Sequence, residues 1–166
     1  MTAEQKTVVA AALGECVHVA GVMNFLRLAE EAGWRTVFLG PATPIERVIE
    51  AARHEQADLV GVSYRLTPET GAHLLGRFAE AADELHVAGV RFAFAGTPPL
   101  AEKAATLGFF EQVFDGSESA DQVLAYLRGQ RLATATEADF PQHTVERIRW
   151  KSPYPLIRHH FGLPTM

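Results

Sequence analysis

The stretch TVVAAALGECVHVAGVMNFLRLAEEAGW occupies residues 7–34. It begins with an apolar run too short to span a membrane and too continuous for a half-buried strand. That pattern suits a strand covered on both faces, as in a parallel sheet. After a short polar turn, Val22, Leu26 and Ala29 recur at the spacing of one helix face, and Gly33 is placed to stop that helix. A buried strand handing over to an amphipathic helix is the first half of a βαβ unit. At the handover stands His18, two residues after Cys16 and three before Gly21.

The same alternation repeats along the chain. Apolar runs lie at residues 6–13 (KTVVAAAL), 35–40 (RTVFLG), 57–63 (ADLVGVS), 91–96 (RFAFAG) and 111–115 (EQVFD). Helix entries separate them. TPIE (residues 43–46) reads as a capping box, with Thr43 capping, Pro44 in the first turn and Glu46 reaching back. TPET (67–70) and TPP (97–99) repeat the Thr-Pro entry, and SESADQ (117–122) opens a fifth helix. Five strands alternating with five helical patterns predict an α/β three-layer sandwich with right-handed crossovers. The expected architecture is flavodoxin-like, within the wider Rossmann-like class, with a five-stranded parallel sheet of order 2-1-3-4-5.

This pattern ends near Gln130. Residues 1–130 are expected to form the domain and residues 131–166 an irregular C-terminal tail. The tail carries Arg147, Arg149, Lys151 and Arg158, with Trp150, Tyr154, Leu156, Ile157 and Phe161 as apolar anchors. Aromatic and basic residues of this kind suit contact with a partner, and wrapping of the chain's own domain is the alternative.

Bulk properties narrow the function. The 166 residues suit one domain with a sizeable core. Fifteen basic against twenty acidic residues give a net charge of −5, which argues against nucleic acid as a partner. A single cysteine permits no disulfide framework, and a reducing cytoplasm is the simplest compartment. The N-terminus lacks the basic start and long apolar run of a signal peptide, and no membrane association is expected.

In an open parallel sheet, ligands bind beyond the carboxyl ends of the strands. That edge collects Cys16, His18 and Gly21 after the first strand, Gly40 after the second, and Ser63, Tyr64, Arg65 and Leu66 after the third. Ala95, Gly96 and Thr97 follow the fourth strand, and Asp115 and Gly116 the fifth. Most are small, which lets a bulky ligand approach the backbone. GECVHVAG fails the G-x-G-x-x-G pattern of a nicotinamide site, and no Gly-Lys-Ser/Thr phosphate loop is present. Ser63 stands where a phosphoacceptor domain would place an aspartate.

These loops carry a resemblance. Cys16-Val17-His18-Val19-Ala20-Gly21, then Ser63-Tyr64-Arg65, then Ala95-Gly96 fall in the order D-x-H-x-x-G, S-x-L, G-G. Over residues 7–128 the chain resembles the cobalamin-binding domain of corrinoid-dependent mutases and methyltransferases. The resemblance implies cobalamin as cofactor, as adenosylcobalamin or methylcobalamin. It implies that His18 is the lower cobalt ligand and that Ser63 bonds the base of the nucleotide tail. Gly21 and Gly96 would leave the tail room. A neutral imidazole suits such a metal, and a neighbouring acceptor normally fixes its tautomer. Three positions depart from the signature. Cys16 stands for the aspartate, Arg65 for the leucine (Leu66 comes one place late), and Ala95 for the first glycine.

The chain also resembles the small subunits of adenosylcobalamin-dependent mutases, because only six residues precede its first strand and no helical cap fits there. The implied partner is a separate, barrel-type catalytic subunit, with self-association also compatible. This chain would then present the cofactor and hold no catalytic residue of its own. Adenosylcobalamin-dependent rearrangement is expected ahead of methyl transfer. The alternative is a degenerate interaction or regulatory module of the same fold that binds no cobalamin.

Overall fold

The structure is a computed structural model and describes residues 4–130. The expectations for residues 131–166 lie outside the described residues. Five strands form one parallel sheet: β1 (Thr7–Ala12), β2 (Arg35–Phe38), β3 (Leu59–Tyr64), β4 (Arg91–Gly96) and β5 (Gln112–Phe114). Their order is β2-β1-β3-β4-β5, as expected. Strand β1 pairs with both β2 and β3, so the order reverses beside it. The crevice of an open sheet lies at that reversal.

The helices are α1 (Ala20–Glu31), α2 (Ile45–His54), α3 (Pro68–Ala81), α4 (Asp83–Val87), α5 (Pro98–Leu107) and α6 (Ala120–Leu127). The short α4 is an addition to the five helical patterns in the sequence. Val22, Leu26 and Leu28 of α1 and Leu124, Tyr126 and Leu127 of α6 pack with Val8, Ala10, Leu59, Ala93 and Phe114 on one face. Ile45 and Val48 of α2, Leu75 and Phe78 of α3, and Leu100 and Ala104 of α5 cover the other. No helix among the described residues is long and apolar enough to cross a membrane.

Successive strand residues face opposite ways, and in this sheet the two faces differ in bulk. The α2/α3/α5 face receives Val60, Val62, Tyr64, Phe92 and Phe94. On the α1/α6 face, toward the carboxyl ends, stand Ala10, Gly61 and Ala93 in register, with Ser63 and Ala95 in the next row. The large side chains of β3 and β4 therefore fill one layer, and the small ones leave space in the other.

Two local expectations change. Strand β2 ends at Phe38 rather than Gly40, because Gly40 takes a φ of +99° that turns the chain out of the sheet. Thr43 does not cap α2. The N-cap is Pro44, which makes no side-chain cap, and the Thr43 hydroxyl donates to the Gly40 carbonyl at 3.1 Å. Thr43 serves as a tie to β1, donating its amide to Ala12 O and accepting from Gly14 N. Helix α6 does start on a reciprocal capping box, with Gln122 N donating to Ser119 Oγ at 3.2 Å and Ser119 N to Gln122 Oε1 at 2.8 Å.

Helix α3 holds two glycines with opposite reasons for being there. A Cβ on Gly71 would lie 2.6 Å from a methyl of fully buried Leu100 and 2.9 Å from the Tyr64 ring, whereas a Cβ on Gly76 meets nothing within 4 Å. Overpacking costs about 1–3 kcal/mol and outweighs the ~1 kcal/mol of helix propensity that alanine adds. Gly71→Ala is expected to lower unfolding free energy by about 1–2 kcal/mol and Gly76→Ala to raise it by up to ~1 kcal/mol, read from urea midpoints.

Candidate cofactor-binding site

A cavity of about 580 Å³ opens at the carboxyl ends of β1, β3 and β4, under α1 and beside α6. That volume is within the range of small-molecule and cofactor sites. Of the expected residues, His18, Gly21, Ser63, Arg65, Ala95, Gly96 and Gly116 line it. Cys16, Gly40, Tyr64, Leu66, Thr97 and Asp115 do not.

The floor is made by the small-residue rows, Ala10, Gly61, Ser63, Ala93 and Ala95, with Phe25 of α1 and Phe114 of β5 at the sides. A Cβ on Gly61 would touch Phe25 at 3.4 Å and the Ala10 methyl at 3.6 Å, so it would stand on this floor. A glycine in a strand interior often marks close approach of something to the backbone. That signal was present in ADLVGVS and could have found Gly61. Ala10, Ala93, Phe25, Phe114 and Glu118 had no comparable sequence signal.

Ser63 supplies the least expected feature. Its residue is 5% exposed, and its hydroxyl has no hydrogen-bond partner. An orphaned buried hydroxyl costs about 1–3 kcal/mol, so such groups call for an explanation. The hydroxyl belongs to a residue of the cavity wall, where a bound molecule with a polar atom would satisfy it.

His18 is exposed and lies at the cavity, at the end of the loop entering α1. Its Nδ1 is 3.7 Å from the sulfur of Cys16, which is fully buried behind it. The loop is held by Cys16 N donating to Leu13 O and by Ala42 N donating to Cys16 O at 2.8 Å. Among the described residues there is no group of three or more His, Cys, Asp or Glu side chains able to hold a metal ion. His18 offers a single imidazole donor at the cavity.

The glycines separate into two kinds. A Cβ on Gly21 meets no atom within 4 Å, so nothing among the described residues requires glycine there, and its place on the cavity wall leaves room for a ligand. A Cβ on Gly96 would instead lie 2.8 Å from the Phe94 ring and 3.0 Å from Tyr64 O. Gly96 is thus needed for packing on the α2/α3/α5 face, although its backbone borders the cavity.

The other residues fall around this centre. Tyr64 points to the opposite face, packed among α3 and α5 residues, and burial raises its phenol above the ordinary value, with Cys16 and Glu15 adding to the shift. Arg65 is exposed at the cavity and makes no ion pair or hydrogen bond among the described residues. Asp115 builds its own loop: its carboxylate accepts from Ser117 N at 2.9 Å and Ser117 Oγ at 2.6 Å, which holds it below the usual carboxylate range. Glu118 caps the same turn, accepting from Asp115 N and Gly116 N at 3.0 and 3.1 Å. Leu66 and Thr97 sit outside the cavity, and the Gly40 carbonyl accepts from Ala12 N at 3.2 Å.

Comparison with known proteins bears on the fold and the family. Solved structures share the fold. A novel cobalamin-binding protein from Desulfitobacterium hafniense DCB-2 aligns with a TM-score of 0.62 at 19% identity, over 74% of this chain and 58% of its own. The methanol:cobalamin methyltransferase complex MtaBC from Methanosarcina barkeri contributes a chain at TM-score 0.57 and 22% identity, over 78% of this chain and 49% of its own. A response regulator from Thermotoga maritima aligns at TM-score 0.56 and 14% identity, over 76% of this chain and 97% of its own. The chain thus spans only about half the length of the first two. No curated protein sequence matches it. The family model for the B12 binding domain matches residues 6–125, well over half of the chain. With that match laid on a cavity floored by small residues and edged by His18, the chain belongs to the B12 binding domain family.

Proposed function

We propose that this chain binds cobalamin with the nucleotide tail in the cavity between the sheet and α1, and presents the corrinoid to a separate catalytic subunit. The observation that carries the reading is the orphaned, buried hydroxyl of Ser63 on the wall of that cavity. Ser63 would bond the base of the tail. Gly21 and Gly61 would leave it room, and His18 would supply an imidazole ligand to cobalt. Arg65, which makes no ion pair among the described residues, would meet the phosphodiester of the tail. When bound, the corrinoid supplies the cobalt–carbon bond that both adenosylcobalamin-dependent rearrangement and methyl transfer use.

What the chain's own residues do is bind and orient. His18 and the cavity lie at the open carboxyl edge of the sheet, so the described residues would cover one face of a planar macrocycle. The opposite face, where a substrate would react, is left for another protein surface. That division supports a separate subunit, and a barrel-type enzyme for rearrangement or a methyl-transfer enzyme would each meet it. MtaBC is itself named as a methyltransferase complex, so methyl transfer stands beside the rearrangement expected from the sequence.

The direct test is to mix the purified chain with hydroxocobalamin or adenosylcobalamin and pass it through gel filtration. Retained corrinoid with a base-off, histidine-ligated spectrum is expected. Loss of all corrinoid on the column would overturn the proposal and leave the degenerate module of the same fold. Ser63→Ala should then show opposite effects in the two states. Removing an orphaned hydroxyl is expected to stabilise the unliganded chain by about 1 kcal/mol and to weaken corrinoid binding by roughly fivefold, measured by thermal unfolding and spectral titration. Arg65→Leu is expected to weaken binding by no more than about fivefold, because the guanidinium is exposed, and to flatten the dependence of affinity on salt.

A further inference from the structure

The arrangement of Cys16 and His18 carries a consequence for the imidazole that does not depend on any ligand being bound. A neutral imidazole has one N–H and one lone pair, and the partner of one nitrogen decides what the other can do. A carboxylate beside Nδ1 would accept from Nδ1–H and leave Nε2 bare for a metal. The residue beside Nδ1 here is a thiol, with the sulfur 3.7 Å away.

The thiol is fully buried, and Nδ1 of His18 is its hydrogen-bonding partner among the described residues. The imidazole is exposed to water. Two proton arrangements are available. If Nδ1–H donates to sulfur, the bond has a weak acceptor and the buried S–H proton has no acceptor. If S–H donates to Nδ1, the buried proton meets a good lone pair and the remaining Nε2–H is solvated. Satisfaction of buried polar groups favours the second arrangement.

We propose that Cys16 is a positioning residue that donates its thiol proton to His18 Nδ1, so that the resting imidazole carries its own proton on Nε2. The tautomer is a property of the unliganded chain; its effect on cobalt rests on the reading of His18 as the axial ligand. Ligation through Nε2 then requires one proton to leave Nε2 for water and one to be taken up at Nδ1. The thiol keeps its proton throughout and gives up its hydrogen bond. A histidine bond to cobalt would then be weaker than one backed by a carboxylate, and the tail would carry more of the corrinoid's binding.

The test uses the whole chain labelled with ¹⁵N in its imidazoles, at a pH where the rings are neutral. In the wild type, His18 is expected in the Nε2–H form, with the Nδ1 resonance moved upfield relative to Cys16→Ala, as a hydrogen-bonded ring nitrogen is. Cys16→Asp is expected to move the proton to Nδ1. A wild-type ring with its proton on Nδ1, or an Nδ1 resonance the same as in Cys16→Ala, overturns the proposal. If Cys16→Ala does not fold, the unfolded wild-type chain serves as the reference for the same comparison.

Hydroxocobalamin titrations give the second reading. The histidine-ligated fraction should rise in Cys16→Asp, by about tenfold in the ligation equilibrium, as other partners of metal-bound histidines do. It should also rise, less, in Cys16→Ala, because the competing donor is gone. An unchanged or lower fraction in Cys16→Ala means the sulfur was acting as an acceptor and contradicts the proposal. If no variant binds corrinoid, the cobalamin reading fails while the nitrogen resonances still decide the tautomer.

Discussion

The structure depends on an unequal division of bulk across one sheet. Strands β3 and β4 send Val60, Val62, Tyr64, Phe92 and Phe94 to the α2/α3/α5 side and only Gly61, Ser63, Ala93 and Ala95 to the upper part of the α1/α6 side. Close packing on the first side gives the domain most of its core. On the second side, α1 rests on Val8, Leu59 and Phe114 and spans a space it does not fill. The cavity is the direct result. It requires no special loop, only a row of small residues held in register by the parallel pairing of β1, β3 and β4.

This constraint accounts for several otherwise separate features. Gly71 lets α3 sit close enough for Tyr64 and Leu100 to interlock, and Gly96 gives Phe94 its place. Both glycines serve the packed face. Gly21 and Gly61 serve the open one. The end of the sheet away from the cavity is tied instead by polar contacts: Arg91 pairs with Glu111 at 2.8 Å, and Tyr126 OH donates to the same carboxylate at 2.8 Å. Burial alone would raise the Glu111 carboxyl, yet these partners hold it below its ordinary value. Trp34 Nε1 donates to Leu127 O at 2.9 Å and fastens α6 beside the start of the sheet.

Much of this was legible in the residues. Continuous apolar runs placed every strand and their alternation with helices gave the order, because a sheet buried on both faces leaves that pattern in any sequence. The loop-tip residues His18, Gly21, Ser63 and Arg65 were legible because the carboxyl edge of a parallel sheet is where such residues gather. Which face a strand residue takes was not legible, since it depends on register across three strands. Ala10 and Ala93 stayed hidden for that reason, and the packing reason for Gly96 did as well. Thr43 misled because a threonine hydroxyl beside a Thr-Pro helix entry has a second acceptor nearby, the Gly40 carbonyl, that only the fold brings into reach.

The account places the cofactor's tail on the small-residue floor, with His18 at its mouth. The most direct measurement is the change in backbone amide resonances of the ¹⁵N-labelled chain on adding hydroxocobalamin. The account predicts the largest shifts at Gly21, Gly61, Ser63, Ala93 and Ala95, with Val87 and Leu107 on the far side unmoved. Shifts absent from Gly61, Ala93 and Ala95, or confined to the α2/α3/α5 face, would contradict it.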